Sequence, residues 1–264
     1  MKRTALGVAL IIALAGPTQA DFDAGTAAFE RGDYATAFRE LGPLANGDDA
    51  EAQWLIGVMY RDALGTVRNY NQAIKWLSIA AAYGSPAAQH ALAAMYDEGS
   101  GVIQDHADAA GWYRRAAEQG YAAAQSKLAE MYYSGRGVER DFAEAVKWWR
   151  KAAEQGHAEA QYYLGVAHEY GYGTDLGTKQ AVKWWRLAAD QDNANAQRAL
   201  GDAYLWGEGT NRDLVMAHMW FDLASDQENG RAKIRLDFVA KILMPAERAK
   251  ALKWAEAWRQ AHGE

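Results

Sequence analysis

The chain has 264 residues, of which 50% are hydrophobic and 23% are charged, so it can bury a sizeable core and is not a disordered polar tail. Its 28 basic and 34 acidic residues give a formal net charge of -6, which argues against a protein that binds nucleic acid mainly through phosphate contacts. The absence of cysteine excludes disulfides, zinc–thiolate sites and thiol nucleophiles.

Residues 1–20 have the pattern of a secretory signal peptide. Lys2 and Arg3 precede an uncharged apolar stretch, and small residues follow it up to Ala20. The apolar stretch has only about half of the roughly 20 residues that a membrane-spanning helix needs. We therefore expect cleavage after Ala20 and export of the remainder to the periplasm, with secretion as the alternative. No integral membrane segment is expected to remain after cleavage.

From residue 48 to residue 228 the sequence repeats with a constant period. The dipeptide Ala-Gln recurs every 36 residues, at Ala52, Ala88, Ala124, Ala160 and Ala196. Counted from this Ala, position +4 is Ile or Leu, position +8 is Tyr or His, position +24 is always Trp, and position +28 is always Ala. Five copies in register predict a repeat architecture rather than a single irregular core.

Each copy is predicted to form two helices. Apolar and small residues at positions 0, +4, +5 and +8 make one stripe along the first helix. Glycine at +13 in every copy, and at +11 in four, predicts a tight turn after it. A capping residue at +17, such as Asn69, Asp105 or Asp141, begins the second helix. That helix is expected to bury the residues at +21, +24, +25 and +28, and its recurring Trp is interpreted as core packing.

The motif Ala-Gln-x-x-Leu-Gly-x-x-Tyr-x-x-Gly-x-Gly, an acidic cap, Ala-x-x-Trp-Tyr/Trp and Ala-Ala-x-Gln-Gly resembles the Sel-one-like repeat, a branch of the tetratricopeptide repeat superfamily. The copy from Ala124 to Gly156 carries it most clearly. The resemblance implies an all-α, right-handed α/α solenoid of about five 36-residue helix-turn-helix repeats. It also implies that the first helices line a concave groove and that the protein binds or scaffolds other proteins.

The two ends of the chain differ from the repeats. Residues 21–47 resemble the lone helical hairpin that opens such arrays. Residues 229–264 keep the period only in part, because Pro245 replaces the glycine at +13. We expect a degenerate repeat with a C-terminal capping helix there, in which Trp254 and Trp258 pack on the preceding helix pair.

Candidate binding residues lie opposite the core stripe of the first helix, at positions -1, +2, +6 and +9. These positions vary between otherwise regular copies, and they mix aromatic with charged side chains, as protein-binding surfaces do. An ordinary solvated helix face is the alternative for any one of them. The candidates are Trp54, Arg61, His90, Asp97, Glu130, Tyr133, Tyr162, Glu169, Arg198 and Asp202. Trp54 and Tyr162 are the leading candidates, and basic residues gather toward the C-terminal end of this face, at Arg198, Arg231 and Lys241.

No catalytic, cofactor or metal motif accompanies the repeats. The Gly-x-Gly pairs lack the rest of a dinucleotide or P-loop fingerprint, the serines lack Ser-x-x-Lys and Gly-x-Ser-x-Gly contexts, and no His-x-x-x-His pair occurs. We expect a non-enzymatic envelope adaptor or regulator whose groove binds a peptide segment or helix of an unidentified protein. The alternatives are a module that binds peptidoglycan or other glycan fragments through Trp54, Tyr133 and Tyr162, and, less favoured, a hydrolase.

Overall fold

The computed structural model describes residues 18–227 and 229–262. Within these ranges the chain forms fourteen α-helices and no strand, which confirms the all-α fold class. Most of the predicted signal peptide, residues 1–17, lies outside the described residues. No helix in the described ranges is both long and apolar enough to cross a membrane.

The described residues divide into two compact units, one that ends at Leu92 and one that begins at Ala93. The described part of the first unit contains α1 (Gln19–Glu30), α2 (Tyr34–Asn46), α3 (Ala50–Asp62), α4 (Tyr70–Ala82) and the beginning of α5 (Pro86–Glu98). Consecutive helices of the first unit pack on each other around a core that includes Leu41, Leu44, Ile56 and Met59. α1 and α2 form the hairpin that precedes the repeats.

The second unit contains the end of α5 and nine further helices. They are α6 (His106–Glu118), α7 (Ala122–Ser134), α8 (Phe142–Glu154), α9 (Ala158–Tyr170), α10 (Thr178–Ala189), α11 (Ala194–Trp206), α12 (Leu214–Asp226), α13 (Gly230–Ile242) and α14 (Pro245–His262). Each 36-residue period supplies one odd-numbered helix and the even-numbered helix after it. Consecutive helices pack against each other, in the pattern of a helical solenoid.

The core of each repeat is built on position +25 of the even-numbered helix. Leu77, Tyr113, Trp149, Trp185 and Phe221 occupy this position and are all buried. The small residue at +5 of the odd-numbered helix makes room for them, since a Cβ added to Gly165 would lie 2.4 Å from Nε1 of Trp185. The Trp at +24 is buried as Trp148 and Trp220 and is half-buried in the other three copies.

The glycine at +13 has a second role besides ending the turn. Gly137 has a φ of 70°, and a Cβ on it would lie 2.0 Å from the carbonyl oxygen of His106, where α6 begins. Gly173 would meet the carbonyl oxygen of Phe142, where α8 begins, at 2.2 Å. The glycine therefore lets the turn of one repeat approach the backbone of the preceding repeat.

The last helix covers the end of the repeat array. Trp254 and Trp258 pack partly buried against the core, and the Trp258 ring lies edge-on to Trp220 at 6.3 Å, which confirms the packing expected for these two residues. Arg259 forms ion pairs with Asp226 and, at 2.8 Å, with Asp222. Aromatic contacts and charge together fix α14 on α12.

Candidate functional site

All ten predicted site residues lie on odd-numbered helices, and all ten are partly buried. Trp54, Arg61 and His90 belong to the first unit, and the other seven belong to the second. The ten residues do not share one environment. Some pair or pack within the fold, and four line a single cavity.

In the first unit the candidates lie on α3 and α5. Trp54 packs against the core that contains Leu55 and Ile56, so part of its ring serves the fold. Arg61 pairs with the adjacent Asp62 at 2.7 Å. His90 is half-buried on α5. Of these three residues Trp54 offers the largest partly exposed apolar side chain.

Asp97 joins neighbouring elements of the second unit. One carboxylate oxygen lies 2.8 Å from Nδ1 of His106, at the start of α6, and the other lies 2.9 Å from Nη2 of Arg136, in the turn after α7. Both oxygens are therefore engaged, which favours a role in connecting successive repeats over a role in ligand binding.

Glu130 and Tyr133 lie on α7. Lys127 lies 3.1 Å from the carboxylate of Glu130, and burial raises the pKa of Glu130. The Tyr133 ring contacts Phe142 at 5.4 Å, Trp149 at 5.5 Å and Tyr172 at 5.9 Å between ring centroids. Because three rings surround Tyr133, its position favours packing over stacking on a sugar.

The remaining four candidates line one cavity. Tyr162, Glu169, Arg198 and Asp202 surround a space of about 250 Å³ between α9, α10, α11 and α13. Its other lining residues are Val166, Tyr170, Thr178, Trp185, Ala199, Ala203, Glu208 and Arg231. The backbone of Tyr162 is fixed from the core side, because Nε1 of Trp185 donates to its carbonyl oxygen at 3.3 Å. We call this space the α9–α11 cavity.

Arg198 and Arg231 bring positive charge to the α9–α11 cavity. Arg198 contacts Asp202 at 2.5 Å, and Arg235 contacts the other oxygen of the same carboxylate at 3.2 Å. Burial raises the pKa of Asp202, whereas the two guanidinium groups act in the opposite direction. The side chain of Arg231 is exposed and lines the cavity, where its guanidinium group can contact a ligand.

Glu169 and Glu208 bring negative charge to the same cavity. Glu169 lies one residue before the end of α9, and Glu208 lies in the turn after α11. Burial raises the pKa of Glu169, the nearby Glu208 adds to the increase, and a hydrogen bond from Tyr170 opposes it. A cavity lined by both cations and carboxylates can orient a polar ligand. Within the described ranges there is no cluster of His, Asp or Glu side chains that could hold a metal ion.

Several lining residues of the cavity lie at positions that helical periodicity does not identify. Tyr170, Thr178 and Glu208 lie at helix ends or in turns, outside the helix face from which the candidates were chosen. Glu208 stands between the two glycines of its repeat, so the glycine pair itself marks the turn that carries it. A search for charged residues inside the Gly-x-Gly turn would have found it.

A repeated helix pair, without strands in the described part of the chain, defines the protein as an α/α repeat protein of the tetratricopeptide-like class. The family model of the Sel1 repeat matches residues 50–85, 86–121, 122–157, 158–193 and 194–229, more than half of the chain. The chain belongs to the Sel1 repeat family. Proteins of this family are generally protein–protein interaction modules and are typically non-catalytic.

Solved structures agree with this assignment. The protein is similar to c5321, a protective antigen of uropathogenic Escherichia coli strains with an SLR fold, at 30% identity and a TM-score of 0.79 over 93% of this chain. This chain covers 54% of that antigen, about half of its length. A Sel1 repeat protein from Oxalobacter formigenes has 28% identity and a TM-score of 0.78, and the match covers 89% of this chain and 96% of that one.

A more distant structure shares the fold alone. The immunity protein Pa5087 from Pseudomonas aeruginosa has 15% identity and a TM-score of 0.52, with 76% of this chain and 81% of that one covered. No curated protein sequence matches this chain significantly.

Proposed function

We propose that this Sel1 repeat protein is exported and acts in the bacterial envelope as an adaptor or regulator that binds a partner protein in the α9–α11 cavity. The observation that carries the proposal is the convergence of four varying positions, Tyr162, Glu169, Arg198 and Asp202, on one cavity. The repeated core positions serve the scaffold. The residues that differ between repeats are free to serve recognition.

Binding would combine apolar contact with charge. Tyr162 and Val166 offer partly buried apolar surface, and partial burial of such anchors is typical of residues that dominate binding energy. Arg231 and Glu169, which carry opposite charges, would fix the direction of a bound segment. A peptide segment or a partner helix has both the apolar side chains and the charges that this cavity requires.

A capture experiment tests the binding site. The full chain serves as bait in crosslinked envelope extract, and the captured proteins are identified by mass spectrometry. The matched variants are Tyr162→Ala and Tyr132→Ala. Both residues are half-buried tyrosines on odd-numbered helices, but the Tyr132 hydroxyl accepts a hydrogen bond from Arg114 at 2.6 Å, away from the α9–α11 cavity. We expect Tyr162→Ala to lose a partner that Tyr132→Ala retains.

Two results would contradict the proposed site. Equal capture by both variants would show that the partner binds elsewhere. Unfolding of the Tyr162→Ala variant, seen by circular dichroism, would show that this ring belongs to the core.

Export is tested separately, because it rests on the N-terminal sequence pattern. After expression in a bacterial host, cell fractionation and intact-mass measurement are expected to find a periplasmic chain that begins at Asp21. The boundary matters for α1, because Thr18 and Asp21 form a capping box across the predicted cleavage site. A cytoplasmic chain of full mass would contradict the proposal.

A further inference from the structure

α13 exposes an apolar stripe. Ile234, Phe238 and Ile242 are 72%, 46% and 48% exposed, and their spacing of four residues places them on one face of the helix. The core side of α13 is a different face, where Ala232 and Val239 are buried. Three large exposed apolar side chains in a row are more than the scattered ones that an ordinary surface shows.

Basic residues flank this stripe. α13 carries four basic residues and a single acidic one, Asp237, in a chain whose net charge is -6. At helical spacing Arg231, Arg235 and Lys241 lie beside the stripe, whereas Lys233 lies on another face of the helix. Arg235 and Arg198 share the one carboxylate of Asp202, and the side chain of Arg231 is exposed. The surface around the stripe therefore has more positive than negative charge available to a ligand.

The stripe begins at a cavity that adjoins the α9–α11 cavity. Ile234 lines a second cavity of about 310 Å³ together with Arg231, Arg235, Arg198 and Asp202. The last two of these residues and Arg231 also line the α9–α11 cavity. A continuous concave surface suits a peptide segment, whereas a basic amphipathic helix that lies on a lipid surface needs an open face.

We propose that Arg231, Ile234, Arg235, Phe238 and Ile242, here called the α13 surface, bind an acidic amphipathic segment of the partner protein. A carboxylate of the segment pairs with the guanidinium group of Arg231, and its apolar side chains cover Ile234 and Phe238. The inference rests on the proposed function and specifies the chemistry of the partner. Charge selects the segment, and burial of the apolar stripe retains it.

Selection from a phage-displayed random peptide library on the purified full chain tests this inference. The enriched consensus peptide is then synthesised, and its affinity is measured by fluorescence anisotropy. We expect a consensus with an acidic residue beside two apolar residues. Arg231→Glu and Phe238→Ala should each weaken binding by about tenfold or more.

Two matched variants serve as controls. Lys233→Glu makes the same charge change on an exposed residue of the same helix that lines neither cavity. Leu252→Ala removes an exposed apolar side chain from α14. The affinity of both control variants for the consensus peptide should stay within about twofold of that of the unchanged chain.

Several results would overturn the inference. The peptide selection would do so if it gave a consensus without acidic residues or no enriched peptide at all. The affinity measurements would do so if Lys233→Glu weakened peptide binding as much as Arg231→Glu. Sedimentation of the protein with phosphatidylglycerol vesicles, abolished by Arg231→Glu, would point to a lipid surface instead. A captured partner that depends on Tyr162 but not on Arg231 or Phe238 would refute the inference and leave the proposed function intact. A captured partner whose binding depends neither on Tyr162 nor on Arg231 and Phe238 would refute both the proposed function and this inference.

Discussion

The side-chain amide of Gln155 donates a hydrogen bond to Oε1 of Gln125, thirty residues earlier, at 2.7 Å. Gln125 in turn donates to the carbonyl oxygen of Ala117, at the end of the preceding even-numbered helix, at 3.0 Å. Gln191 and Gln161 repeat the first contact at 2.8 Å. The buried Gln of the Ala-Gln dipeptide therefore joins the two halves of its own repeat and connects that repeat to the preceding one.

Replacing Gln125 with Met should be more destabilising than replacing Gln53 with Met. Both side chains are buried, but Oε1 of Gln53 has no hydrogen-bond partner, because Tyr83 stands where the later repeats have Gln. We expect Gln125→Met to lower the free energy of unfolding by about 1–3 kcal/mol, since it removes two side-chain hydrogen bonds, whereas Gln53→Met removes only the one to the Ala45 carbonyl oxygen. Urea unfolding measures the difference. Equal costs for the two variants would contradict a role for the Gln155 contact.

Gly137→Ala should damage the fold far more than Gly120→Ala. Both glycines have positive φ, 70° and 91°, but only a Cβ on Gly137 meets backbone atoms, whereas nothing lies within 4 Å of a Cβ on Gly120. Gly120→Ala should lower the free energy of unfolding by about 1–2 kcal/mol, because alanine is strained in the left-handed backbone conformation. Gly137→Ala should lower it by more, because α6 must also move to admit the Cβ. Thermal unfolding compares the variants, and similar midpoints would refute the close approach.

Ala63→Gly should stabilise the chain. Ala63 ends α3 with a φ of 60°, at the position where the other four repeats have glycine. Glycine adopts this conformation without strain, so a gain of about 1 kcal/mol is expected in the free energy of unfolding. The control is Ala257→Gly within α14, an exposed helical position where the same change should cost about 1 kcal/mol. A loss of stability in both variants would show that the strain at Ala63 is negligible.

Stability should fall in mild acid because of His218. This side chain is buried, neither ring nitrogen has a hydrogen-bond partner, and burial lowers its pKa from 6.5 although Asp222 opposes the effect. The unfolded chain takes up a proton below about pH 6.5 while the folded chain resists it, so the folded state loses stability as the pH falls through that range.

The His218→Leu variant measures this contribution. It should be more stable than the unchanged chain, because it removes two unpaired polar atoms, and it should lose less stability between about pH 7.5 and about pH 5.5. His262→Leu, at an exposed position, is the control. The same pH dependence in the unchanged chain and in His218→Leu would refute the assignment.

The helices of the repeats could be predicted because the same residue recurs at the same position of each copy. Leu128 and Trp149, for example, are both buried where the period places them. The candidate site was harder to predict. Helical periodicity identified the face that carries Tyr162 and Arg198, but it cannot show which loop residue covers that face. Asp97 is paired by Arg136 and Tyr133 is covered by Tyr172, and in both cases the contact comes from a turn.

The contacts between successive repeats constrain how this gene can change in length. Removing residues 158–193 would place Gln197 eight residues after Ala153, the spacing at which Gln161 now donates to the Ala153 carbonyl. Gly209 would then face the start of α8, where Gly173 fits today. A deletion that is not a whole number of 36-residue repeats would separate these partners. The number of repeats can therefore vary by recombination in whole 36-residue units. Each gain or loss of a repeat would change the recognition residues but keep the contacts between successive repeats.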